Sequence, residues 1–147
     1  MTDLVILNED ALRASHPVFY RANETPDTAF IWDPEYFQAT HCGLKRQIFI
    51  YETLCTLDVE IYCGAFMDVF QALVSDLQPE HIFVPYSVNP LLQQRHEIMA
   101  AAMAVESFTI VKDDPFVIID DLADLRRFFR YWNKAKKAAF SYNGLSD

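Results

Sequence analysis

Short apolar runs alternate along this chain with stretches in which apolar residues return every three or four positions. Leu4 to Leu7 is a compact apolar run, read as a strand. After a polar stretch, His16-Pro17 opens a short helix through Tyr20, with proline suited to the first helical position. Ala29 to Trp32 is a second buried strand, stopped at Asp33-Pro34, where proline removes a donor and breaks a ladder. A loop follows. Leu44, Ile48, Tyr51 and Cys55 then recur at helical spacing, which predicts a helix covering the sheet. Val59 to Cys63 is a third strand, ended by Gly64. Phe66, Val69, Phe70, Leu73, Val74 and Leu77 form an unbroken helical stripe that Pro79 stops. His81 to Val84 is a fourth strand. Asn89-Pro90 reads as a cap followed by proline at the first helical position, opening a helix to about Ala104. Ser107 to Val111 is a fifth strand and Phe116 to Ile119 a further extended run. A last helix runs from about Leu122 to Phe140, acidic at its start and basic near its end, as the helix dipole favours.

Apolar strands alternating with helices predict an α/β fold whose parallel sheet is covered on both faces. Right-handed crossovers make a doubly wound, Rossmann-like sheet of five parallel strands the simplest arrangement. At 147 residues a single domain over 1–147 is expected, able to bury roughly 70% of its unfolded surface. A hydrophobic share of 52% excludes disorder, and no apolar run approaches the ~20 residues of a membrane span. Met1-Thr2-Asp3 lacks the basic start of a secretory signal. Cys42, Cys55 and Cys63 are odd in number and form no Cys-x-x-Cys, so a reducing cytoplasm is the expected setting.

The net charge of −9 is unevenly spread. Residues 1–125 carry six basic and twenty acidic side chains, hence −14; residues 126–147 carry six and one, hence +5. An acidic body repels phosphate backbones, so nucleic acid is not an expected partner of the main domain. His16, His41, His81 and His96 are scattered and share no helix face, so no metal site is expected. Gly43, Gly64 and Gly144 build no Gly-x-Gly-x-x-Gly and no P-loop, and no Gly-x-Ser-x-Gly elbow supports hydrolysis. No catalytic residue is assigned.

Several segments, in order, resemble the N-terminal α/β domain of the DNA photolyase and cryptochrome family. Leu4-Val5-Ile6-Leu7-Asn8-Glu9-Asp10 with His16-Pro17 is similar to the family's opening strand, although Asn8 stands where the family has arginine. The strand ending in Asp33-Pro34, with Lys45-Arg46 opening the later helix, resembles the family's second strand and helix. Cys63-Gly64 resembles the turn after strand three, and Tyr86 to Arg95 is similar to the region after strand four, with Arg95 on the family's arginine. Asp113-Asp114 resembles the exit of strand five. Phe128 to Trp132 resembles the helix that leads toward the flavin domain. The resemblance implies a strand order 3-2-1-4-5 and an antenna module. Such a module holds an accessory chromophore (FMN, a deazaflavin or a folate) in a crevice at the carboxyl ends of the strands. The family's light chemistry uses FAD in a separate helical domain without a counterpart in these residues, so FAD and photorepair by this chain alone are not expected.

That strand order would put the switch-point crevice between strands one and four. The candidate ligand-binding residues are Asn8, Asp10, Asp33, Arg46, Gly64, Tyr86, Ser87, Asn89 and Arg95. Tyr86 could stack on a ring, Asn8 and Asn89 could read its edge, and Arg46 could meet a phosphate or carboxylate. The alternative for each is structural: Asp10 and Asp33 stabilise helix starts, and Asn89 is only a cap. Two functions are weighed, the first leading and the second its alternative. One is non-catalytic binding of a small aromatic or nucleotide-like ligand. The other is a degenerate scaffold that has lost its ligand and acts as a protein-interaction module, as a homodimer or with a partner through the basic C-terminal helix. Bulky side chains such as Phe37 or Tyr86 filling the cleft would favour the second.

Overall fold

The computed structural model describes residues 2–23, 25–103 and 105–115, together with Trp132 and Lys136. The chain divides into two compact units, Met1–Asp113 and Asp114–Asp147, and the α/β architecture lies in the first. The extended run expected at Phe116–Ile119 and the helix expected over 122–140 lie outside the described residues, except that Trp132 and Lys136 have helical backbone.

In chain order the elements are β1 (Leu4–Ile6), α1 (Val18–Arg21), β2 (Asp27–Trp32), α2 (Pro34–Ala39), α3 (Leu44–Cys55), β3 (Glu60–Cys63), α4 (Phe66–Leu77), β4 (Ile82–Pro85), α5 (Pro90–Ala101), a 3₁₀ turn (Val105–Ser107) and β5 (Phe108–Val111). The strands form one all-parallel sheet in the order β3-β2-β1-β4-β5, the Rossmann-like arrangement expected. Leu4 lies opposite Asp27 on one side and Ile82 on the other, Ile31 opposite Tyr62, and Pro85 opposite Val111. Pro85 closes β4: it has no N–H to carry the pairing with β1 beyond Phe83, and its carbonyl is taken by Asn8 Nδ2.

The two-residue alternation of the strands separates two cores. Leu4, Ile6, Ala29, Ile31, Ile82 and Val84 pack with Phe66, Phe70 and Leu73 of α4 and Met99 of α5. Val5, Leu7, Phe30, Phe83 and Val111 pack with Val18 of α1, Phe37 of α2, and Ile50 and Leu54 of α3. β1 and β4 sit at the centre and are buried throughout, whereas β3 is an edge strand with Glu60 and Cys63 exposed. No helix among the described residues is long and apolar enough to cross a membrane.

Two local expectations are corrected. The loop after Asp33-Pro34 contains α2, because the dipeptide that ends β2 also starts a helix: Asp33 is its N-cap and Pro34 its first residue. The stripe Leu44, Ile48, Tyr51, Cys55 is helical as predicted but does not cover the sheet. Ile50 and Leu54 are the buried residues of α3, and Leu57 packs beside them. Two apolar stripes overlap on this helix, and the one continuous with Leu57 and Val59 faces the core, since those residues lead into β3. Each aliphatic side chain buried there contributes about 2 kcal/mol. Leu44, Ile48 and Tyr51 are exposed.

α4 ends without glycine. Gln78 takes the left-handed conformation (φ 45°) and donates its N–H to Val74 O, and Pro79 follows. At α1 the buried His16 accepts the Val18 N–H on Nδ1 at 3.0 Å. Burial lowers the His16 pKa, which keeps that lone pair free to accept.

Candidate functional site

Among the nine sequence-predicted residues, Asn8, Asp10, Ser87 and Asn89 meet where β1 and β4 leave the sheet. Asn8 is buried, and both ends of its amide are used. Its Nδ2 donates to Pro85 O at 2.8 Å, and its Oδ1 lies 3.2 Å from Nε2 of His96. With the amide oriented by Pro85, the imidazole must carry its proton on Nε2 and donate. Burial, reinforced by the neighbouring Arg95 charge and opposed by Asp10, lowers the His96 pKa to about 4. The ring is therefore neutral at physiological pH, and Asn8 ties β1, β4 and α5 together.

A second chain of bonds lies alongside. Ser87 Oγ donates to the Asp10 carboxylate and accepts the Asn89 N–H at 3.0 Å. Asn89 Oδ1 accepts the Leu91 N–H at 3.0 Å and so caps α5, as the sequence suggested. Gln93 Nε2 donates to Ser87 O at 2.9 Å. Tyr86 stays on the rim, with Lys112 Nζ 5.3 Å from its ring centroid.

Asp33, Gly64 and Arg95 form a second group at the exits of β2 and β3. Asp33 Oδ1 accepts the N–H groups of Glu35 and Tyr36 at 3.0 and 3.3 Å, and its Oδ2 accepts the Phe66 N–H at 3.1 Å. One carboxylate therefore caps α2 and also binds the start of α4. Gly64 donates to Trp32 O at 3.0 Å and has φ 156°, a region closed to other residues; a Cβ there would also lie 2.9 Å from Val69 Cγ2. Its part is the turn.

Arg95 reaches from α5 and stacks on two rings, with its guanidinium carbon 4.3 Å from the Tyr36 centroid and 3.9 Å from that of Phe66. Burial works against its charge and lowers its pKa, while Glu9, Tyr36 and Asp33 favour the charged form. The Tyr36 hydroxyl donates to Glu9 at 2.6 Å, and burial together with this bond pushes its pKa far up. Sequence reasoning did not single out Tyr36, Phe66 or His96 as members of the site. Tyr36 was the findable one, standing three positions beyond a capping Asp33.

Arg46 lines a small pocket of about 190 Å³ that also borders Asn89 of the first group and Tyr36 of the second, with Glu9, Phe37 and His41. Sites for drug-sized ligands run roughly 300–1,000 Å³. A roomier cavity, about 410 Å³, lies away from the strand exits, against Phe19, Thr25, Thr28, Thr56 and Asp58. It contains none of the predicted residues. Among the described residues no three His, Cys, Asp or Glu side chains converge as a metal site would require.

At the strand exits the polar groups bind backbone and one another, the Ser87 hydroxyl being held between the Asp10 carboxylate and the Asn89 N–H. No family model and no curated protein matches the chain.

Proposed function

We propose that this chain is a photolyase-like α/β scaffold that acts as a protein-interaction module, its strand-exit crevice taken up by the fold. The resemblance of its segments supports the ancestry, and the parallel 3-2-1-4-5 sheet agrees with it. One observation carries the loss of the ligand: Asn8, Asp10, Asp33, Ser87 and Asn89 all bond within the fold, leaving a pocket of about 190 Å³. Phe37, in the core, walls that pocket. A ring system the size of a flavin would have to break these bonds, each worth about 1 kcal/mol net and more where a buried donor is stranded.

Absorption of the purified protein in the near-ultraviolet and visible, with mass spectrometry of a denatured sample, tests this. We expect no chromophore, and no thermal shift with FMN, a deazaflavin, a folate or nucleotides. A stoichiometric chromophore, or a saturable shift with one of these, would overturn the reading.

A second reading keeps a small aromatic or nucleotide-like ligand. It rests on Arg46, whose exposed side chain borders the pocket beside Glu9 and Asn89. Loss of a ligand-induced shift in Arg46→Ala would establish it.

A further inference from the structure

We infer that the outer face of α3 is a self-association surface, on which a second copy of this chain docks antiparallel across a two-fold axis. The inference rests on the interaction-module reading and supplies its partner. Leu44 is 72% exposed, Ile48 47%, Phe49 67% and Tyr51 54%, and Cys55 is exposed as well. Leu44, Ile48, Tyr51 and Cys55 follow at intervals of four, three and four, so they form one continuous stripe, with Lys45 and Glu52 along one edge and Phe49 beyond them. Tyr51 is already positioned by an edge contact with Trp32, their ring centroids 6.4 Å apart. Contiguous apolar surface of this kind on a folded domain marks a contact.

The charges bordering the stripe select the occupant. Lys45 and Glu52 are seven residues apart, hence on the same side of the helix, and both are exposed. Among the described residues neither has an ion-pair partner, the one pair being Arg13–Asp113. Side-by-side parallel docking would set Lys45 against Lys45 and Glu52 against Glu52. Antiparallel docking about a two-fold between Ile48 and Phe49 reverses this. Lys45 of each copy then faces Glu52 of the other, and the two Ile48 side chains meet beside the axis. An isologous interface needs such a self-complementary patch, and this helix has one.

Light scattering or sedimentation velocity of the full chain across the micromolar range tests the inference. The wild type should be a dimer. Ile48→Asp should be a monomer with an unchanged circular-dichroism spectrum, its melting point lower only by the concentration-dependent stabilisation that dimerisation gives the wild type. Lys45→Glu alone and Glu52→Lys alone should each weaken the dimer about tenfold, and the double swap should restore it. A wild type that stays monomeric, an Ile48→Asp that still dimerises, or a double swap without rescue would each overturn it. Any of these results leaves the closed-crevice reading intact, because only ligand uptake removes that.

Discussion

Asp33 and Asn89 occupy matching places. Each follows a parallel strand, each precedes proline, and each accepts an N–H from the first turn of the helix that proline begins. Their reach differs. Asn89 serves α5 alone, while the second oxygen of Asp33 crosses to the Phe66 N–H at the start of α4. Around Asp33 the edge is held by a carboxylate accepting from backbone, with Arg95 stacked on Tyr36 and Phe66 above it. Around Asn89 it is held by Ser87, which joins the Asp10 carboxylate to the Asn89 N–H, and by Asn8 between Pro85 and His96. The same dipeptide signal thus marks a local cap in one place and a junction between distant elements in the other. Both sides of the crevice thus commit these polar side chains to the fold.

The largest expected effect separates the two sides by pH. The folded pKa of His96, about 4, lies below the ordinary value of 6.5, so protonation favours the unfolded chain. The stability tied to its neutral form is complete above roughly pH 6.5 and is lost as pH falls toward 4. The full difference is about 3 kcal/mol, and His16, also lowered, adds in the same direction. Urea unfolding at about pH 7 and about pH 4.5 should therefore show a steeper acid loss in wild type than in His96→Gln. Equal slopes would mean that the Asn8–His96 side does not depend on a neutral imidazole.

Removing each capping side chain comes next in size. Asp33→Ala takes acceptors from three N–H groups on two helices and should cost about 2 kcal/mol. Asn89→Ala takes one and should cost about 1 kcal/mol. Denaturant midpoints with unchanged slopes measure both. Equal losses would reduce Asp33 to a simple cap.

The strands and the cap at Asn89 were legible because each is written locally, in short apolar runs and a dipeptide, whereas the sheet order was implied only by the resemblance. The bond from Asp33 to Phe66 spans 33 residues and leaves no local trace. The stacking of Arg95 between Tyr36 and Phe66 is hidden for the same reason, since three separate elements supply it. On α3 the difficulty was surplus rather than absence. Leu44, Ile48, Tyr51 and Cys55 spell an apolar face as plainly as Ile50, Leu54 and Leu57 do, and only the packing of the sheet decides between them. A helix with two apolar faces and one sheet to cover leaves the other in water, which is what singles out α3 as a contact surface.

The finest test exchanges the two capping side chains at constant shape. Asp33→Asn keeps one carbonyl oxygen for the N–H groups of Glu35 and Tyr36. Its amide nitrogen would then confront the Phe66 N–H, donor against donor, so one bond is lost and the loss should be about 1 kcal/mol. Asn89→Asp keeps its acceptor for Leu91 and gains a few tenths of a kcal/mol from the helix dipole. Asp10, joined to the same turn through Ser87, opposes that gain by like-charge repulsion. The two terms nearly cancel, and the change should stay within about 0.5 kcal/mol. Thermal unfolding of the two variants beside wild type reads the difference directly. If Asp33→Asn were as harmless as Asn89→Asp, the link from the β2 exit to α4 would contribute nothing, and the two proline turns would be equivalent after all.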